Sequence, residues 1–463
     1  MTEQLKLKLN DSKATRWGAL VRVAFTMMAA YYVNDVVAPL KTMLETDLAW
    51  ASTDFGFFTG GYSFLNVFFL MLIWGGLILD RFGIRFTGKL ATILMVGGTA
   101  LEYYAMTGLA GADATLFGIN EIFGYKTGVF VAFAGYSIFG VGAEVAGITV
   151  SKIIAKWFKG KELATAMGVQ VALARIGSQA GYAVAIPLAR AFGISTPVLL
   201  GLVLLLGGMI AFFIFAVMDK KLDKQMEAAA IAAGTEDEEE KFSFKDVKNI
   251  LVNPGFWLIA LLCVLFYSCV FPFQKFASEL MIIKYGINEN VAGTFAGLPA
   301  LGALILTPGF GGFIDKRGKS ASIMLLGWAI LRCVHFIYAI PDINYWLVAI
   351  VLMIILGIAF SLVPSAMWPA VAKIFPVSQL GTAYALIFFI QNIGLWGIPT
   401  LIGWVLDAYC ISGKKPDGTN MYDYTVPMCI FTGIACLSLI VALLLKKADK
   451  KYGYKLEEPN IQK

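Results

Sequence analysis

Apolar residues run through this chain in long blocks, and polar residues collect in the short gaps between them. A helix crossing the hydrocarbon core of a bilayer needs about 20 consecutive, mostly apolar residues. Twelve blocks meet that requirement: 17–40, 54–79, 88–108, 127–151, 162–189, 194–218, 254–280, 290–314, 320–340, 344–370, 378–406 and 425–446. The pattern predicts an all-α membrane protein with twelve transmembrane helices. It also divides the chain into a polar tail at 1–16, six spans over 17–218, a linker at 219–253, six spans over 254–446 and a tail at 447–463. The first block, Trp17–Leu40, is longer than a signal-peptide core and has no clear small-residue cleavage pattern, so it reads as a span. The linker carries an alanine-rich piece that predicts a helix, then the acidic run Glu236–Glu240, and reads as a solvated tether.

Composition sharpens this picture. Of 463 residues, 59% are hydrophobic and only 15% charged, against about a quarter charged in soluble domains. The net charge of +6 does not point to nucleic acid, because of where the bases lie. An even number of spans puts both termini on one side. That side carries 27 of the 37 Lys and Arg, the other side seven, and three lie within spans. The positive-inside rule makes the basic side cytoplasmic. Six cysteines form no spacing framework and there is one histidine, His335, so no metal, cofactor or enzymatic chemistry is expected.

Charges inside spans are costly and by default mark a substrate path. Glu144 lies in the fourth span and Arg175 in the fifth, either side of the basic turn Lys152–Lys161. At 1.5 Å per residue Glu144 sits about 12 Å, and Arg175 about 20 Å, from the cytoplasmic ends of their spans. The difference of about 8 Å compares with about 7 Å for two extended residues. The pair can grip the two ends of a small zwitterion, or pair with each other and hold two spans together. Glu102, Arg332 and His335 read as structurally paired or snorkelling to an interface. Asp35, near the outer end of the first span, is a candidate for proton coupling or for a gate.

The two halves repeat. Gly76-x-x-x-Asp80-Arg81-Phe82-Gly83 recurs as Gly311-x-x-x-Asp315-Lys316-Arg317-Gly318, and Ala155-Lys156-Trp157-Phe158 with Gly177 recurs as Ala372-Lys373-Ile374-Phe375 with Gly394. Six-helix repeats in one orientation around a cavity are a transporter signature. The repeat sets Ser361 opposite Glu144 and Asn392 opposite Arg175. Tyr31, Tyr32, Tyr62, Asn66, Trp368, Gln391 and Trp396 are candidates for the cavity wall, together with Asn392.

The run Gly76-x-x-x-Asp80-Arg81-x-Gly83-x-Arg85, present in both halves, resembles the signature of the major facilitator superfamily. The resemblance implies two pseudo-symmetric six-helix bundles. It also implies a gate in which Asp80 docks on the start of the eleventh span near Ser378, and Asp315 on the start of the fifth near Glu162, with Arg81 and Arg85 in the same motif. Tyr62-Ser63-x-x-Asn66-Val67, Trp157–Leu163, Ala174-Arg175-Ile176-Gly177-Ser178, Leu362-Val363-Pro364-Ser365 with Trp368-Pro369, Gln379–Tyr384 and Gln391-Asn392-Ile393-Gly394 are similar to the lysosomal dipeptide transporter branch. That likeness implies an alternating-access dipeptide uniporter in which Glu144 takes the amino end and Arg175 the carboxylate. Proton coupling through Glu144 or Asp35 stays open. The rival readings are an organic-anion or organophosphate exchanger, which needs several converging bases, and a non-transporting sensor, which needs a signalling domain. The N-terminal tail lacks an acidic dileucine signal and the outer loops lack a glycosylation triplet. That departure from the branch points to a plasma (inner) membrane rather than a lysosomal one, and speaks against the branch's lumenal accessory subunit. A monomer is expected.

Overall fold

The structure is a computed structural model and describes residues 8–111, 114–158, 161–233 and 244–459, except the side chains at 164, 229–233, 244–246 and 377–378. The acidic run Glu236–Glu240 and the side chain of Ser378 lie outside the described residues. The helices are α1 Lys13–Val36, α2 Lys41–Asp47, α3 Ser52–Phe68, α4 Met71–Thr107, α5 Thr127–Phe158, α6 Leu163–Phe192, α7 Thr196–Ala233 and α8 Phe244–Val252. They continue with α9 Pro254–Tyr285, α10 Glu289–Ala296, α11 Leu298–Arg317, α12 Ser320–Ala339, α13 Trp346–Ile374, α14 Val377–Tyr409 and α15 Thr425–Tyr452. Two antiparallel hairpins, β1 Glu121–Ile122 with β2 Tyr125–Lys126 and β3 Ile411–Lys414 with β4 Asn420–Tyr422, decorate one end.

Among the described residues nine helical stretches are long and apolar enough to cross a membrane, or ten with the bent pair α3 and α4 taken as one. The remaining crossings have physical reasons to look different. The second expected span, 54–79, breaks after Phe68, where Leu70 adopts φ 54° and the chain bends by 58°. Within α4, Gly83 at φ 75° and ψ 174° separates the end of that span from the return span. Glycine suits a conformation that would strain a side chain. The fifth span is α6, whose Gln170, Arg175 and Gln179 lower its hydropathy. With α4 divided at Gly83 and α6 included, the described helices follow the order of the twelve apolar blocks. The alanine-rich piece of the linker does continue α7 as far as Ala233.

Both described ends of the chain lie at one face. Leu9 donates its N–H to Gln225, Lys161 holds Asp11 at 2.9 Å, and Lys373 donates to the carbonyls of Lys455 and Glu458. At the opposite face small residues let helices touch. A Cβ on Gly56 would stand 2.5 Å from the Pro399 carbonyl, and one on Gly60 would stand 2.7 Å from the Trp396 carbonyl, so α3 and α14 meet backbone to backbone. Gly293 and Gly297 bring α10 onto Tyr182 and Gln179 of α6 in the same way. At the terminal face three of the four glycines of the repeated motif are uncrowded: a Cβ on Gly76, Gly83 or Gly311 meets nothing within 4 Å, whereas one on Gly318 would stand 2.4 Å from the Glu458 backbone of the C-terminal segment. The bundle is closed at the face away from the termini and open at the face that bears them.

Candidate functional site

A cavity of about 170 Å³ occupies the middle of the bundle. It is lined from α1 (Met27, Ala30, Tyr31, Asn34), α3 (Thr59, Tyr62) and α5 (Tyr136, Ala143, Glu144, Gly147) on one side. From the other side come α9 (Tyr267, Phe271, Pro272, Lys275) and α14 (Phe388, Gln391, Leu395, Pro399). Prolines inside a helix free a carbonyl and bend the axis, and here Pro272 and Pro399 stand at the wall.

Glu144 is held by the Tyr62 hydroxyl, which donates to its Oε1 at 3.0 Å. Arg175 projects from α6 so that its guanidinium lies 5.6 Å from the Tyr31 ring centroid and 4.8 Å from that of Phe360 on α13. Such contacts hold a guanidinium without neutralising it. Among the described residues Arg175 has no ion pair or hydrogen bond, and Glu144 and Arg175 do not bond each other. Tyr31 and Tyr267 lie within electrostatic reach of both charges. Phe360 stands edge-on to Phe271 at 5.5 Å, which carries the aromatic wall from the cavity to Arg175.

The candidate wall residues divide. Tyr31, Tyr62 and Gln391 line the cavity. Tyr32 does not: one residue along a helix is a turn of about 100°, and its hydroxyl donates to the Pro197 carbonyl at 3.2 Å on α7. Asn66 is buried and, among the described residues, neither of its amide atoms is hydrogen-bonded. Asn392 is buried and donates within its own helix to the Phe388 carbonyl at 2.9 Å. Trp368 packs behind the lining, its ring 5.0 Å from that of Phe388, and Trp396 meets Phe68 at 4.8 Å.

The residues expected to form a gate sit at the open face. Asp80 is exposed and pairs with Lys152 at 3.1 Å, inside its own half. Arg81 lies over Phe82, and Arg85 reaches Asp223 at 2.8 Å. Asp315 occupies the last turn of α11. Glu162, the expected dock for Asp315, is taken by Arg16, which donates from Nη2 at 2.8 Å to both its oxygens.

The closed face holds contacts that pattern reading undervalued. Lys275, at the cavity floor, donates to the Asn34 carbonyl and reaches Asp35 at 3.2 Å and the Tyr136 hydroxyl at 3.4 Å. Deeper, Lys41 contacts Glu45 and Glu279 at 2.5 Å each, with Lys415 3.6 Å from Glu45. Asp407, near the end of α14, accepts from the backbone N–H of Ser52 and Thr53, capping the start of α3. The available signal was spacing: Lys41 with Glu45, just past the first apolar run, and Lys275 with Glu279, inside the seventh, stand at i,i+4 with opposite charge. Glu102 and His335 are fully buried and, among the described residues, have no hydrogen-bond partner on any side-chain polar atom, so neither is paired as expected. His335 instead packs between the rings of Phe273 and Phe431.

The sequence signature of the Major Facilitator Superfamily matches residues 23–394 and, as a second match, 276–460. The lysosomal dipeptide transporter MFSD1 of Homo sapiens is 29% identical over 454 residues, 95% of this chain and 88% of that protein. The nucleoside transporter NupG superposes with a TM-score of 0.68 at 11% identity, covering 92% of this chain and 99% of that one. The peptide transporter POT in complex with sulfate gives 0.67 at 14% identity, covering 95% of each chain. At those identities the superpositions speak to fold alone. The chain belongs to the Major Facilitator Superfamily and is a multi-pass membrane transporter.

Proposed function

We propose that the protein carries dipeptides by alternating access, with Glu144 holding the amino end and Arg175 the carboxylate. One observation supports this reading: Glu144 lines the central cavity, and Arg175, with no ion pair or hydrogen bond among the described residues, stands against the ring of the lining residue Tyr31 and against Phe360, so each charge is positioned by aromatic side chains and neither is consumed by the other. A dipeptide presents those two charges at a fixed separation whatever its side chains. Arginine suits the carboxylate because its planar fork can bind both oxygens. The similarity to a protein titled a dipeptide transporter supports the same cargo. Six helices on each side of the cavity rock between a state closed by Lys275, Lys41, Glu279 and Asp407 and one closed at the other face through Asp80 and Asp315. We assign the protein to a plasma membrane, with both termini cytoplasmic, acting as a monomer and by uniport.

Lys275 gives some weight to an organic-anion substrate, because it supplies a second base at the cavity wall. Its pairing with Asp35 offsets that charge, which favours the zwitterion. Counterflow in proteoliposomes separates the two. Unlabelled dipeptides inside should drive accumulation of a labelled dipeptide, and organic phosphates should not. Accumulation driven by organic phosphates and not by dipeptides would overturn the proposal.

A further inference from the structure

Two tight turns at the face opposite the termini carry phenylalanine where glycine or asparagine is the usual choice. In the first, Leu116 and Ile119 exchange backbone hydrogen bonds of 3.0 Å around Phe117-Gly118. In the second, β1 and β2 pair Ile122 with Tyr125 around Phe123-Gly124. Both turns have positive φ at both positions: 54° and 81° in the first, 52° and 80° in the second. Two-residue hairpin turns of this kind favour Asn-Gly or Asp-Gly, since a bulky side chain is strained at positive φ. The chain accepts that strain twice and leaves both rings outside, Phe117 at 95% and Phe123 at 88% exposure.

The segment is held in place. Tyr125 stacks on Phe57 of α3 at 3.9 Å, Lys126 donates to the Ala49 carbonyl, and the Thr127 hydroxyl donates to the Ile119 carbonyl at 2.8 Å. It also joins the lipid-facing surface. Phe123 meets Phe130 at the start of α5 at 5.9 Å, and Leu101 and Tyr104 are exposed near the end of α4, where the segment begins. Exposed Tyr345, Trp346, Trp404 and Tyr409 mark the same face at the ends of α13 and α14, as aromatic residues do at a membrane–water boundary. A protein partner fits less well. Such interfaces cover about 800 Å² per side and rest on Trp, Tyr and Arg anchors. Here two separate tips project, and residues 114–126 contain only Glu121 and Lys126 as charges.

We propose that the segment 114–126 is a membrane anchor whose two turn-tip rings, Phe117 and Phe123, insert into the interfacial zone of the lipid leaflet at this face. The test uses the full-length chain with exposed Cys333 and Cys429 replaced by serine. Phe117→Cys, Phe123→Cys and, as a control on the other hairpin, Pro416→Cys carry nitroxide labels in vesicles of pure phosphatidylcholine. Oxygen should relax the labels at 117 and 123 more strongly than a water-soluble nickel chelate does, with the order reversed at 416. A label on Ile119→Cys should favour oxygen too, and should shift toward nickel when Phe117 and Phe123 are both asparagine, a change these turns tolerate. Labels at 117 and 123 that match 416 would overturn the anchor. So would protection that arises only when a membrane extract supplies a protein.

Discussion

Tyr62 and Glu144 are the smallest unit of the proposed grip. The phenol hydrogen bond fixes where the carboxylate points, so Tyr62→Phe should weaken dipeptide binding by about 1 kcal/mol, roughly fivefold, in a thermal-shift titration. Unchanged affinity would mean that Glu144 is oriented by something else. Arg175→Lys keeps the charge and loses the fork and the stacking on Tyr31 and Phe360, so uptake should fall at least tenfold while the protein stays folded. The sequence made these residues legible because a charge in an apolar run is rare. It could not separate Tyr31 from Tyr32, since both lie in an apolar run and only the packing of α1 against α6 and α7 decides which ring faces the cavity.

Helix pairs carry the next set of consequences. Gly60 leaves no room for a side chain between α3 and α14, so Gly60→Leu should hold the closed face apart. Spin labels at Asp47 and Val291 should then report a longer distance than in the parent protein. The Asp35–Lys275 pair is buried across α1 and α9. Removing one partner strands the other charge and should cost about 3 kcal/mol of stability. Asp35→Asn with Lys275→Met should recover most of it in the same melting experiment. At the open face the Arg16 guanidinium holds the Glu162 carboxyl below the usual carboxylate range. A depressed carboxyl stabilises above its ordinary range and loses that contribution as pH falls through it. Arg16→Met should therefore lower the melting temperature at neutral pH, with the gap to the parent closing in acid. Spans and turns were readable from apolar run lengths. The broken second span was not, because Phe68–Met71 is as apolar as its flanks and only the backbone reveals the bend.

Taken whole, the molecule is shut at one face and open at the other, which is one of the two states a carrier must visit. Asp80 is exposed and bonded only loosely to Lys152, so Asp80→Asn should leave stability within about 0.5 kcal/mol and binding unchanged. If Asp80 helps close the open face, the same change should alter the transport rate, measured as initial uptake. The motif names Asp80 as a docking residue, and here that carboxylate pairs with Lys152 inside its own half, while Arg16 holds Glu162. The grip itself is tested most directly by the melting temperature of the purified protein with a dipeptide, its N-acetyl form and its C-terminal amide. The free dipeptide should stabilise, and each blocked form should lose most of that shift. Equal stabilisation by all three would contradict a site built on Glu144 and Arg175.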